Sequence, residues 1–477
     1  MKKILRPILC GGVLAALLCT PSLAAEQGDF SLLVNGEPVT FTDAAPVLKD
    51  GRSFLPAVTT FQALGFAQED IVWDGETQTV TASKDGAAIS LTVGDSAVTW
   101  TGPSWSQTSE DGTSGSAGGS GGIAYLDAAP YIDPATNRTY IPVGLVADIL
   151  GCRVAWDGAT STVIIDDVDA ILAENTETYE RMDQYLDYAR KYSQDNYQVE
   201  GSYLLTSAPG EMESGAEIIH TIDGDYNLIS SQTAMQFAMD MSIGGTIMGA
   251  PIAPTDMNLD MRADLDTGML YLYFQSEDLE QLMNNNVQVN GESVEFQIPD
   301  QWYSLDMKAV YDEAYGPGFY EELIALSTAS QDAAFAQTLE ELLKSDTLIL
   351  TSTATTSDYL EALNQLLGDS HFQKSGSTYT STLEQDGVTI LFHLYTSGGQ
   401  VNGYGMEMTA SETTGMEMTM TMEMKGDDMS LLMEMAGMTM EMDGTYRPSS
   451  TAPETEPPAG ATVVDLWELL TTPVSEL

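Results

Sequence analysis

The sequence predicts a multidomain α+β protein: a β-rich front module with two short helices, then one large curved antiparallel sheet packed on several helices. Three observations carry this. Two stretches near the front, residues 43–81 and 127–165, repeat each other 84 residues apart. The long second part alternates apolar and polar residues through one strand after another, with the apolar residues on one face. Between its two runs of strands lie segments of helical period, an order that describes α+β architecture.

In chain order, residues 1–25 read as a secretory signal. Lys2, Lys3 and Arg6 form a basic start, Ile8 to Cys19 an apolar centre, and Ser22-Leu23-Ala24-Ala25 a small-residue cleavage site. The apolar run falls short of the roughly 20 residues a membrane helix needs. Leu9 before Cys10 and Leu18 before Cys19 are bulky where a lipid-anchored cysteine requires a small neighbour. No later segment is apolar enough to be a transmembrane helix. The expected location is extracytoplasmic, secreted or cell-surface.

Composition narrows the partners. The 477 residues carry a formal charge of −54, and beyond the signal 14 Lys and Arg face 71 Asp and Glu. Such a surface excludes nucleic acid, which needs clustered cations, and disfavours anionic lipid headgroups. Of three cysteines only Cys152 lies beyond the signal, so no intramolecular disulfide forms and stability must come from apolar cores. Cys152, inside DILGCRVAW, reads as a buried small hydrophobe.

Each repeat runs Asp-Ala-Ala-Pro, a polar turn, Arg, an aromatic, apolar-Pro, a short amphipathic helix ending Leu-Gly, then Trp-Asp-Gly and a β-rich finish. Gly65 and Gly151 suit helix C′ positions. Trp73-Asp74-Gly75 and Trp156-Asp157-Gly158 lead into turns and alternating strands. With Val34-Asn35-Gly36, Asp43-Ala44-Ala45-Pro46, Gly51-Arg52, Leu55-Pro56, Leu64-Gly65 and Trp73-Asp74, residues 31–168 resemble the copper amine oxidase N-terminal-like, or stalk, domain family. Two departures stand out: Val58 and Gly144 replace the Arg usual two residues after the proline, and a Gly/Ser-rich insert, 102–122, separates the halves. The resemblance implies a non-catalytic spacer or interaction module. The oxidase chemistry itself is missing from the sequence. His220, His371 and His393 are scattered without ligand spacing, and Asn196-Tyr197 is followed by Gln198 where the quinone motif needs Asp or Glu.

The second domain, residues 170–446, begins with a helix over 170–194. Strands are expected at 197–206, 216–223, 233–243, 257–265 and 269–274, helices at 277–285, 304–315, 331–345 and 357–368, and strands again at 377–384, 388–396, 400–410, 415–425, 429–435 and 438–446. Asp223-Gly224-Asp225 and Asp427-Asp428 read as turns, and His220 and His393 as packing residues in strands. A Pro-rich acidic linker and a short helix, VVDLWELL, fill 447–477. The order of elements, with Trp302-Tyr303 then Asp306, resembles the half-barrel of LolA-like bacterial lipid-carrier lipoproteins, which implies an apolar or amphipathic ligand.

Methionine decides what such a ligand would meet. Thirteen of the 25 methionines fall between 406 and 442. Met416, Met418, Met420, Met422 and Met424 share one face as a strand, as do Met433 and Met435, and Met438, Met440 and Met442. Met235, Phe237 and Met239, then Met257 and Met261, repeat the habit. Flexible thioethers suit a surface that accommodates variable apolar groups, so Met235, Phe237, Met239, Met257, Met261, Met416, Met418, Met420, Met422, Met433, Met435, Met438 and Met440 are the candidate lining. Thioethers also bind Cu(I). Same-face neighbours on one strand stand about 6.6 Å apart, too far for one ion whose sulfurs must approach to about 4.6 Å. Cross-strand neighbours at about 4.5–5.5 Å converge more easily, making Met418, Met420, Met433 and Met440 the thioether alternative. HExxH, GxSxG and phosphate-loop motifs are absent from the sequence. The expected function is non-catalytic, with no cofactor: stalk-like attachment to a cell-wall or surface component, joined to binding of a lipid-like small molecule. The alternatives are a structural or adhesive protein without a small ligand, and a copper-buffering one.

Overall fold

A computed structural model describes residues 30–467, apart from 43, 50, 85, 102–105, 108–114, 117–121, 127, 145–149, 191–195, 208–217, 248–249, 279, 282–287, 290–291, 294–297, 329–333, 346–347, 386, 411–416 and 436. The signal-like segment, most of the Gly/Ser insert and Met416 lie outside the described residues. We label the helices α1 (Ala57–Ala63), α2 (Val168–Glu174), α3 (Glu180–Arg190), α4 (Met307–Tyr315), α5 (Phe319–Thr328), α6 (Phe335–Lys344) and α7 (Thr356–Leu367). Among the described residues the chain forms two compact units: 30–176 with Glu340–Ala362, and Glu177–Leu339 with 363–467.

In the first unit the two repeats meet through their shared signature. The apolar-Pro strands Arg52–Pro56 and Arg138–Pro142 pair antiparallel, with Leu55 opposite Ile141. Val47–Lys49 and Tyr131–Asp133 extend this sheet to four strands, and the Tyr140 hydroxyl donates to the Ala45 carbonyl at 2.7 Å. Asn35 and Gly36, both at positive φ, make the tight turn between Ser31–Val34 and Glu37–Pro38. Gly65 and Gly151 both take the left-handed conformation, Gly65 as the C′ residue of α1. Leu32, Leu55, Phe61, Ile89, Ile141 and Ile165 are sealed in one core, and Cys152 is buried with them, as its setting predicts.

The second unit is a 14-stranded sheet. Its strands are β1 (Asn196–Ser207), β2 (Ile218–Ser230), β3 (Ala234–Ile247), β4 (Ala250–Asp264), β5 (Met269–Gln275), β6 (Trp302–Asp306), β7 (Gln373–Ser375), β8 (Thr378–Gln385), β9 (Val388–Ser397), β10 (Gln400–Ala410), β11 (Met418–Lys425), β12 (Asp428–Met435), β13 (Met438–Ser449) and β14 (Val463–Asp465). They lie in the order β7-β8-β9-β10-β11-β12-β13-β1-β2-β3-β4-β5-β6-β14, so the second run of strands joins the first where β13 pairs with β1. All pairs are antiparallel except β6 with β14. With the helices this is the α+β multidomain architecture expected.

Among the details that depart from the sequence reading, four stand out. The helix expected over 170–194 is two, α2 and α3. The second starts where the Asp369 carboxylate accepts from the Thr178 hydroxyl and the backbone N–H groups of Glu180 and Arg181, at 2.7–3.0 Å, a cap from residues distant in sequence. Asp223-Gly224-Asp225 is no turn: β2 runs straight through it. The last expected helix opens as a strand, β14, because Val463 to Asp465 pair with the edge of β6, and turns helical only at Leu466 and Trp467. His220 is exposed near the described start of β2 rather than packed.

Two glycines explain how so wide a sheet curls. A Cβ at Gly201 would collide with the Asp443 carbonyl and the Tyr226 hydroxyl, and one at Gly224 with the Asp240 carbonyl. Bare glycine backbone lets neighbouring strands bend onto it. Tyr226 and Tyr203 lie over these positions, their hydroxyls donating to the Asp443 and Asp240 carbonyls at 3.1 and 3.2 Å.

Candidate functional site: the methionine face of the large sheet

Alternation alone puts methionines on one face of each strand; register decides whether the faces join. They do. Met408, Met420, Met433, Met440, Leu205, Ile222 and Ile243 stand opposite one another in sequence from β10 to β3. The next row runs Met406, Met422, Leu431, Met442, Tyr203, Gly224, Met241 and Met257. A third places Phe237 opposite Leu228 and Met261, while Met239 faces Tyr226 and Leu259, and Met235 faces Ala263. Met418, Met435 and Met438 form the end row of β11–β13. Every described candidate is therefore on one continuous apolar face.

Burial along that face is uneven. Helix α3 packs on β10, with Tyr185 edge-on to Phe392 and Tyr404, and the Tyr188 hydroxyl donating to the Gly426 carbonyl at 2.9 Å. Beneath it Met406 and Met424 are only 1% exposed. Away from α3 the candidates Met235, Phe237, Met239, Met257, Met261, Met418, Met420, Met422, Met433, Met435 and Met440 are all half-buried, and Met438 reaches 36% exposure. Midway, Val199, Tyr203 and Tyr226 form a small buried cluster with Phe237, Met239, Met241 and Met442 against it. Burial first, then nearby carboxylates for Tyr203 (Asp223 and Asp240), push the phenols of Tyr203 and Tyr226 up to about 12. Both hydroxyls stay protonated donors at any physiological pH.

The reverse face is acidic. Asp443, Ser202, Asp225, Asp240 and Asn258 stand opposite one another from β13 to β4. A groove of about 490 Å³ opens there, lined by Glu200, Ser202, Asp225, Asn227 and Asp240 among others. On β4, Arg262 is enclosed by Asp260, Glu454, the Glu456 carbonyl and the Trp302 ring. The Pro-rich stretch after β13, read as a linker, is held there, and Gln236 accepts from the Glu454 N–H at 3.1 Å.

Other chemistry is sparse. Among the described residues no three or more His, Cys, Asp or Glu are grouped to hold a metal ion, and no helix is long and apolar enough to cross a membrane. His393 bonds Thr380 at 2.8 Å and lies 3.3 Å from Glu407; His371 is an exposed residue 3.9 Å from Glu177. The three histidines do not converge. Sequence reasoning missed the interleaving of Leu205, Tyr203, Ile222 and Leu228 between the methionine strands. Their alternation was readable, but the β13–β1 pairing that unites the two runs joins residues more than 200 positions apart.

Comparison with known proteins agrees with the first unit. Residues 33–165 match the family model described as the copper amine oxidase N-terminal domain, a part of those oxidases that is non-catalytic. No curated protein matches the chain. Among solved structures, a β-barrel-like protein of a domain of unknown function, DUF1849, from Brucella abortus is similar at 9% identity and a TM-score of 0.21, over 54% of this chain and 99% of that one.

Proposed function

We propose that this is an exported, non-enzymatic envelope protein whose large sheet binds an apolar or amphipathic, lipid-like molecule on its methionine face, while the stalk-like unit attaches it to a cell-wall or surface component. The observation that supports the binding role is the run of in-register apolar rows that stays half-exposed from β11 to β4. Burying a methionine is worth roughly 1.5–3 kcal/mol, and a half-exposed face leaves part of that unrealised. Extended apolar patches on soluble proteins mark interaction sites. Methionine's three rotors let such a face adapt to flexible chains. Native mass spectrometry of gently purified protein, and titration with a fluorescent fatty acid, test the reading. Met433→Glu with Met440→Glu should weaken probe binding at least tenfold. Ligand-free protein that also ignores the probe would overturn it.

A second reading is supported by the register itself. Met420, Met433 and Met440 stand directly opposite across β11, β12 and β13, the cross-strand spacing at which thioethers converge on one soft monovalent ion. Replacing the three by leucine separates the readings. The greasy face survives, so fatty-acid binding should hold within about twofold, whereas Cu(I) competition against a chelator would lose any tight site.

A further inference from the structure

The two repeats of the first unit end in equivalent hairpins, and their fates differ. Ile71–Asp74 pairs with Thr79–Lys84, and Arg153–Asp157 with Thr162–Asp166. Both outer strands are edges of their sheets. Both turns are built alike: Asp74 accepts from the Glu76 N–H at 2.9 Å and the Thr77 hydroxyl at 2.7 Å, and Asp157 from the Ala159 N–H at 2.9 Å and the Thr160 hydroxyl at 2.8 Å.

Residues 343–345 and 348–356 of the chain itself meet the second edge at its two ends. Arg153 donates to the carbonyls of Leu343 and Leu348. Asp157 accepts from the Ser352 N–H at 2.9 Å, and the Thr160 hydroxyl meets that of Ser352 at 3.1 Å. Asp157 is consequently 8% exposed. Along the first edge Val72 is 57% exposed and Asp74 is exposed too. Trp73 and Trp156 differ little, at 44% and 46%, so what the segment covers is the aspartate, not the ring. An open edge strand is a template for another chain.

We propose that the Ile71–Asp74 edge docks a cationic peptide segment of a partner protein, whereas the ends of the Arg153–Asp157 edge are met by the chain's own Leu343, Leu348 and Ser352. Charge fixes the partner's sign. Where the second repeat offers Arg153, the first presents exposed Glu69 and Asp70, with Asp74 and Glu76 beyond. Pairing with a second copy of this edge would set these carboxylates against each other, and opposed like charges destabilise a strand pair. A Lys- or Arg-bearing strand meets them favourably, while its backbone pairs along the edge. The strip deepens the attachment role proposed for this unit, and the methionine face plays no part in it.

The test uses the full-length protein and a fluorescent peptide of residues 346–356 carrying Asp346→Lys, Thr351→Lys and Thr353→Lys, beside the unchanged peptide. The lysine peptide should bind and weaken several-fold between 50 and 300 mM salt, about the range over which screening of exposed charges becomes severe. The unchanged peptide should bind at least tenfold more weakly. Asp70→Lys should weaken the lysine peptide at least tenfold, and Glu417→Lys, the same charge change on the other unit, should leave it within twofold. No binding of either peptide, or equal loss with Asp70→Lys and Glu417→Lys, overturns the docking strip. Equal binding of both peptides overturns its cationic partner. Retention on envelope material together with peptide failure would remove the strip and leave attachment standing.

Discussion

Replacing Asp157 by asparagine should destabilise the first unit by about 2 kcal/mol at neutral pH. Burial pushes the Asp157 carboxyl up, yet the Ser352 N–H and hydroxyl, the Thr160 hydroxyl and the Ala159 N–H outweigh it and hold it down to about 2. Against the ordinary 3.8, each pKa unit corresponds to about 1.4 kcal/mol of preference for the charged form, which gives the figure. Because the folded pKa is depressed, this contribution is present above the unfolded value near 4 and is lost as pH falls through about 2. For a unit of this size about 2 kcal/mol lowers Tm by roughly 4–8 °C. Thermal unfolding followed by circular dichroism, for wild type and Asp157→Asn from pH 7 down to pH 2, should show the gap close below pH 4. Asp74→Asn is the internal control: same turn, exposed carboxylate, no second segment to hold, and a much smaller expected change than at Asp157. Equal losses at both sites, or a gap that persists at pH 2, would refute the claim that segment 343–356 is what depresses Asp157.

The other expectations concern the second unit. Asp369→Asn should cost about 1–2 kcal/mol at neutral pH through the start of α3; burial raises this carboxyl but the Arg181 and Glu180 N–H groups hold it below the usual range, so the difference from wild type should narrow in acid, as urea unfolding at pH 7 and pH 3 would register. Gly224→Val should prevent β1–β3 from forming, read as lost amide protection in hydrogen exchange, because a side chain there meets the Asp240 carbonyl. Tyr203→Phe, which removes only the hydroxyl donated to that carbonyl, should cost about 1 kcal/mol by the same unfolding assay.

How much was legible follows the range of the interactions. Alternation in 418–425 and 428–435 gave those strands nearly to the residue, because half-buried strands write their face locally. The repeat gave the front module, since its glycines at 65 and 151 and its Trp-Asp-Gly turns are local chemistry too. What failed was decided at a distance. Asp223-Gly224-Asp225 carries every local mark of a turn, but Tyr203 and the Asp240 carbonyl occupy the glycine's bare face and the strand continues. Asn175 to Thr178 interrupts a helical pattern because Asp369, nearly 200 residues on, supplies a new N-terminus. Segment 340–362 reads as helices of the second domain, yet Arg153, Asp157 and Asp166 claim it for the first unit. The methionine face lay between these cases: each strand's share was readable, and its continuity depended on register.

That continuity bears on whether methionine here is simply core. Met406 and Met422 are direct neighbours on β10 and β11, and Met424 lies two residues along. Met406 and Met424 are sealed and Met422 is not. Residue type and sheet face are the same for all three, so composition cannot account for the difference; the cover of α3 can. A face destined only for burial would be served as well by Val and Ile, whose branched side chains favour strands. Methionine gives up that preference for flexibility and polarisable sulfur, which fill irregular gaps in a core and also let a surface accommodate varied apolar groups. The unevenness of burial along one face therefore follows the position of α3 rather than the choice of residue.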